Sequence, residues 1–113
     1  MHELAMVEGI YNVISETMKE HNVHRVKQVR LMVGELTGVE DETMKACFEM
    51  YVEETPLEGA ELVLVRVPVK VRCRICGNEY ETKIPFSSCA VCGNKSIQII
   101  SGKELYIDSL EVE

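Results

Sequence analysis

The 113-residue chain has no tryptophan, two phenylalanines, four tyrosines and three prolines. It also lacks any apolar run of the roughly 20 residues that a bilayer-spanning helix needs. No excess of basic charge is present. Twelve Lys and Arg stand against 19 Asp and Glu, a formal net charge of −7. Few aromatics for stacking and a negative balance argue against a general nucleic-acid binder. A secretory signal pattern is missing, because His2, Glu3 and Glu8 interrupt the start of the chain early. No nucleophile–base pair and no open metal position can be read, so the expectation is a protein that is not an enzyme. Low-complexity segments are absent as well.

What is present centres on Cys73–Asn94, CRICGNEYETKIPFSSCAVCGN. Cys73 and Cys76 form one C-x-x-C pair, and Cys89 and Cys92 form a second after twelve intervening residues. Each pair sets two sulfurs on one side of a tight turn, and two such turns facing each other offer four thiolates to one ion. Gly77-Asn78 and Gly93-Asn94 follow the pairs. These residue types tolerate the positive φ needed to aim backbone N–H groups at sulfur. Two disulfides or simple buried thiols are the competing readings, and the paired spacing favours metal. An all-sulfur tetrahedron suits zinc or iron, and its closed shell makes the metal structural. With four cysteines so assigned and Cys47 alone, the expected location is a reducing cytoplasm.

The charge is uneven. Lys70, Arg72, Arg74, Lys83 and Lys95 face only Glu79 and Glu81 between residues 70 and 100, a balance of +3, which leaves −10 of the net −7 for the rest. A ribbon module contacting nucleic acid through Lys70, Arg72 and Arg74 is therefore one alternative function, and an iron–sulfur redox protein is another.

In chain order, Leu4, Val7, Tyr11, Ile14 and Met18 recur at helical spacing from His2 to about His21, with Met6, Ile10 and Val13 widening the stripe. Asn22 is a plausible stop. Residues 25–36 alternate as a strand with Val29, Leu31 and Val33 on one face and Val26, Gln28, Arg30 and Met32 on the other. The turn ELTGVED leads to a second helix, with Glu40, Asp41 and Glu42 at its anion-favouring end. Met44, Cys47, Phe48 and Tyr51 form its core stripe, on which Cys47 reads as a small hydrophobe. Residues 60–71 are a β-branched run in which Pro68 marks an edge or the point where the strand leaves its sheet. Residues 105–112 close the chain, with a change of phase near Ser109 of the kind a bulge causes.

The fold class is therefore α+β. Two helices lie on a small three-stranded mixed or antiparallel sheet, with a four-cysteine zinc-ribbon type domain inserted between two of its strands. The expected division is 1–69 plus 101–113 for the α/β domain and 70–100 for the ribbon. A long strand flanked by hinges leaves room for a monomer or a strand-exchanged homodimer.

Met1-His2-Glu3 is the second chemical feature. A free α-amine, the next backbone nitrogen and the His2 imidazole can chelate one ion, and the Glu3 amide nitrogen can add a further ring. Four planar nitrogens suit Ni(II) or Cu(II). The bland alternative is a solvated histidine at a frayed terminus. His21 and His24 read as solvated.

MHE at the start, the GELTGV turn before the second helix and the C-x2-C-x12-C-x2-C insertion together resemble the HypA/HybF nickel metallochaperones of nickel–iron hydrogenase maturation. The resemblance spans essentially the whole chain. It implies nickel, Ni(2+), carried at Met1, His2 and Glu3 with Glu40 in support, and structural zinc, Zn(2+), held by Cys73, Cys76, Cys89 and Cys92. It also implies two partners, a HypB-type GTPase and the hydrogenase large-subunit precursor, and some members serve urease. Nucleic acid and membrane are not among the implied partners. Some relatives carry histidines beside these cysteines, and none stands there in this chain.

Overall fold

A computed structural model describes residues 3–113, so the expectations placed on Met1 and His2 lie outside the described residues. The elements run α1 (Glu3–Glu20), β1 (Val26–Gly34), a 3-10 turn (Glu35–Thr37), α2 (Asp41–Tyr51), β2 (Glu61–Val67), β3 (Lys70–Cys73), β4 (Glu79–Glu81), β5 (Ile97–Ser101) and β6 (Leu105–Val112). The fold is α+β, as the periodicities imply.

Helix α1 stops where the side chains predict. Asn22 adopts φ 55°, and the Val23 N–H reaches back to the Met18 carbonyl at 2.9 Å. That is the six-to-one bond of a Schellman ending, with Asn taking the left-handed place that glycine usually fills. The buried face of α1 is Glu3, Val7, Ile14 and Met18. This corrects the expected stripe at its head: Leu4 is 53% exposed and Glu3 only 4%. Val13, expected to widen the stripe, is also exposed. On α2, Met44 and Phe48 are buried, whereas Cys47 and Tyr51 are half-exposed. The Tyr51 ring meets Tyr11 of α1 edge-on, with centroids 5.3 Å apart. Such a pair contributes beyond its buried area.

One sheet has the order β2-β1-β6, which pairs the last strand with the first, as a strand with an apolar face requires. The Glu113 N–H donates to the Arg25 carbonyl, and at the other end the Gly34 N–H donates to the Glu104 carbonyl. The two strands therefore run antiparallel, in the same register at both ends. The phase change near Ser109 is visible in burial, since Asp108 and Ser109 are both exposed, but no residue is inserted. Val26, expected on the polar face of β1, is buried.

The long β-branched run breaks at Pro68. β2 ends at Val67, and β3 begins at Lys70 in a second sheet of order β4-β3-β5. A proline cannot donate to a ladder, and here the chain changes sheets. β3 pairs antiparallel with both neighbours: Val71 lies opposite Tyr80 on β4 and opposite Ile99 on β5.

Two compact units result. The first takes the chain up to Met32, then Gly38–Val65 and Tyr106–Glu113. The second is Val33–Thr37 with Arg66–Leu105. Val7, Ile14, Leu31, Met44 and Phe48 form the centre of the first. At about 1.5–3 kcal/mol per fully buried large side chain, this apolar set stabilises that unit. The second unit has Val33, Val69 and Val71 buried beside Cys73 and Cys89, a much smaller apolar centre.

Candidate metal centre

The two cysteine turns repeat one backbone design. The Gly77 N–H donates to the Cys73 carbonyl at 2.9 Å and the Cys73 N–H to the Asn78 carbonyl at 3.0 Å. In the second turn the Gly93 N–H donates to the Cys89 carbonyl at 2.9 Å and the Cys89 N–H to the Asn94 carbonyl at 2.8 Å. Gly77 and Gly93 take φ 76° and 75°, a region open to glycine at little cost. The expectation attached to the Gly-Asn pairs is thus met twice over.

These turns bring Cys73, Cys76, Cys89 and Cys92 together, with all four sulfurs within 4.8 Å of one another. Cys73 Sγ lies 3.5 Å from Cys92 Sγ, and Cys76 Sγ 3.7 Å from Cys89 Sγ. A disulfide needs about 2.05 Å, so the disulfide reading is excluded. Four sulfurs at about 2.3 Å from one ion would stand about 3.8 Å apart in a tetrahedron. The observed spacing fits that shell, and the cluster is a metal-binding site.

Backbone N–H groups point at the sulfurs of both turns. The Cys76 N–H points at Cys73 Sγ (3.5 Å), and the Val91 and Cys92 N–H groups point at Cys89 Sγ (3.3 and 3.5 Å). The first cysteine of each pair is buried and the second exposed. Hydrogen bonds from the Cys92 and Val91 amides lower the Cys89 thiol to about 6, and the Cys76 amide in the same way lowers Cys73. Cys92 is pushed up to about 11. The Asn94 amide acts to lower it, but its hydrogen bond to Cys73 and partial desolvation by its neighbours outweigh that. Cys76 is raised for corresponding reasons, its own amide contact being from Asn78. Amide donation thus draws Cys73 and Cys89 towards the thiolate, and a divalent cation would displace whatever protons remain on the set.

Two further contacts fix the ribbon. The Arg74 N–H donates to the Ser96 carbonyl at 2.9 Å, and the Ala90 N–H donates to the Tyr80 hydroxyl at 3.3 Å. Nothing in the spacing pointed to Tyr80. Arg72, offered above as a phosphate contact, is committed to Glu79 at 2.7 Å, the residue opposite it on β4.

The other expected site is partly visible. Glu3 Oε2 accepts the Glu40 N–H at 3.2 Å, so these two residues, 37 positions apart, are brought together. Burial acts to raise the Glu3 carboxyl, but the Glu3 and Glu40 amides outweigh it and hold the group below its ordinary 4.5. Glu40 is the N-cap of α2, and its own side chain makes no capping hydrogen bond. In a capping box a side chain from the first turn satisfies the N-cap amide; here Glu3, on another helix, does so. Thr43 Oγ1 meanwhile donates to Glu40 Oε1 at 3.2 Å. This role of the Glu3 side chain was not readable from helical spacing.

The match to known proteins is over the full length. The family model described as "Hydrogenase/urease nickel incorporation, metallochaperone, hypA" matches residues 1–112. The chain belongs to the HypA family. HypA proteins are nickel-incorporation metallochaperones of hydrogenase maturation. Among HypA relatives, the hydrogenase maturation factor HypA of Caldanaerobacter subterraneus subsp. tengcongensis is 40% identical, with all of both chains covered. That of Desulfitobacterium hafniense strain DCB-2 is 38% identical over all of this chain and 99% of the relative. A HypA solution structure superposes with a TM-score of 0.76 at 25% identity, covering 100% of this chain and 97% of the other. The solution structure of the nickel metallochaperone HypA from Helicobacter pylori shares the fold, with a TM-score of 0.71 at 24% identity and coverage of 99% and 97%. Among the described residues of this HypA-family chain, no helix is long and apolar enough to cross a membrane.

Proposed function

We propose that this protein carries Ni(II) as cargo at the start of its chain and delivers it to the precursor of the nickel–iron hydrogenase large subunit, in concert with a HypB-type GTPase. Urease is the second candidate recipient. The ligands are the Met1 amine, the His2 amide nitrogen and Nδ1, and the Glu3 amide nitrogen, with Glu40 in support. The functional division is 1–69 plus 101–113 for nickel handling and 70–100 for the ribbon. The setting is the cytoplasm, the working form is a monomer or homodimer, and no catalytic step is assigned to any residue.

One observation carries the reading beyond family membership. The Glu3 carboxylate is turned inward to the head of α2, where the Glu40 N–H meets it. The residue next to the proposed imidazole ligand is thereby anchored through its side chain, while backbone nitrogens supply the chelate. Few nitrogen ligands at a chain end allow release, which a carrier needs and a buried cage would prevent.

Zinc is the resident metal of this reading, held by Cys73, Cys76, Cys89 and Cys92. The donor set and the 3.5 and 3.7 Å sulfur separations fit it. Zinc would cross-link the two turns and neutralise their thiolates. Iron in the same shell is the alternative, and it would colour the protein.

The test is a calorimetric nickel titration of protein with its native amine, of the amine-acetylated form and of a form extended before Met1. Tight binding should appear only in the first, with zinc content equal in all three. Unchanged nickel affinity after acetylation would remove the proposed site.

A further inference from the structure

A cavity of about 390 Å³ opens in the first unit between the last turns of α1 and the loop that follows α2. Its floor is apolar, since Met18 is 7% exposed and Leu57 only 1%. Tyr11 gives it one wall, and that ring meets Tyr51 edge-on. Around this floor stand Ser15, Lys19, Asn22 and His24, polar side chains from α1 and the turn after it. Tyr11, Ser15 and Lys19 fall four apart and so line one side of the helix.

The polar groups here are not used by the fold. Among the described residues, no hydrogen bond takes the side chains of Tyr11, Ser15, Asn22 or His24. Thr17, two positions beyond Ser15, shows the usual alternative by returning its hydroxyl to the Val13 carbonyl at 2.9 Å. Lys19 has Glu16 at 4.0 Å, in a well-exposed pair of the kind that contributes little.

The lining also has one sign of charge. Asp and Glu make up 19 of the 113 residues, yet none of them lines the cavity, whereas Lys19 and His24 do. The end of α1 carries partial negative charge, but its Thr17 and Met18 carbonyls already accept the His21 and Val23 N–H groups, at 3.1 and 2.9 Å. Hydroxyl and amide donors beside a cation, over an apolar floor, suit an anionic oxygen group carried on an apolar body.

We infer that this cavity binds a small organic acid, with its carboxylate towards Lys19 and His24 and its apolar part over Met18, Leu57 and Tyr11. The volume falls in the range of about 300–1,000 Å³ typical of small-molecule sites. The apolar floor supplies affinity, and the cations select the sign of the ligand. The inference goes beyond the nickel reading and does not depend on it.

The test titrates isotope-labelled, zinc-loaded protein with hydrocinnamate, its neutral amide, acetate and an N-acetylated tripeptide ending in phenylalanine, and reads backbone amide shifts by NMR. Hydrocinnamate should give saturable shifts at Ser15, Asn22 and His24. Its neutral amide should bind at least about tenfold more weakly, the worth of one hydrogen bond to a charged group. Lys19→Gln/His24→Gln removes the cations but keeps polar side chains, and it should weaken hydrocinnamate by at least the same factor. Ser15→Leu should abolish binding by filling the cavity, and leucine is a better helix former than serine, so α1 should stay folded. Denaturant midpoints and amide shifts away from the cavity check that both variants are intact. The proposal is overturned if no saturable shift appears at the cavity, or if acetate or the neutral amide binds as tightly as hydrocinnamate. Unchanged affinity in Lys19→Gln/His24→Gln overturns it too. Tripeptide binding more than about tenfold tighter than hydrocinnamate would make the occupant a chain terminus of another protein, which also overturns it.

Discussion

Glu3 Oε2 accepts a hydrogen bond from the backbone N–H of Glu40 at 3.2 Å, so one carboxylate joins the heads of both helices. Its removal should be felt in stability before it is felt anywhere else. In Glu3→Gln the amide oxygen can still accept, but the charge that favours a helix N-terminus is lost, and denaturant midpoints at neutral pH should fall. The carboxyl lies below its ordinary value of 4.5 in the folded state. Its contribution is therefore present above 4.5 and lost as pH falls through the folded value. Midpoints of wild type and Glu3→Gln should converge under acid conditions, and parallel curves would contradict the assignment.

Nickel affinity should rise with pH, because chelation by backbone amides displaces their protons and needs a neutral imidazole. His2→Ala should abolish the tight site at every pH while zinc content stays constant. Absorption spectroscopy should report planar nitrogen ligation in the wild type only.

Zinc uptake at neutral pH should release fewer protons than four thiols carry. Cys89, at about 6, is already a thiolate, whereas Cys92, at about 11, must give up its proton to the metal. Calorimetry in buffers of different ionisation enthalpy counts the protons. Full release of four would contradict the amide bonds described at Cys89.

Cys73→Ser should open the second unit first. That unit has few buried apolar residues, so much of its order comes from metal ligation. Amides of β3, β4 and β5 should lose hydrogen-exchange protection while those of α1 and α2 keep theirs.

Gly34→Ala should destabilise by about 1–3 kcal/mol, the usual cost of forcing atoms into a filled space. A Cβ at Gly34 would overlap the backbone of Gly102 and crowd the Lys103 nitrogen, and backbone cannot rotate aside. Gly102 is constrained in turn by φ 113° and by Val69, 3.0 Å from where its own Cβ would be. Chemical denaturation of the two alanine variants gives the comparison.

Local chemistry was the legible part of this molecule. Cysteine spacing forecast the sulfur cluster, Asn22 the end of α1 and Pro68 the departure from the first sheet, because each effect acts within a few residues. Partners far apart in sequence were not legible. Apolar periodicity alone chose Leu4 for the core, whereas a buried Glu3 is satisfied in part by the Glu40 amide, 37 positions away. The half-exposed Cys47 and Tyr51 show a related limit: spacing gives the direction of a helix face but not the width that a neighbour covers. The three-residue strand β4 was too short to leave a pattern. Tyr80 within it acts on Ala90 through a hydroxyl whose reach no spacing reveals.

Where the chain departs at Pro68 it also returns. Ser101 Oγ donates to the Pro68 carbonyl at 2.9 Å, and the Thr82 N–H donates to the Val69 carbonyl at 3.0 Å. An excursion whose two ends touch behaves as a cassette: a short loop joining them could replace everything in between without lengthening any path through the remaining strands.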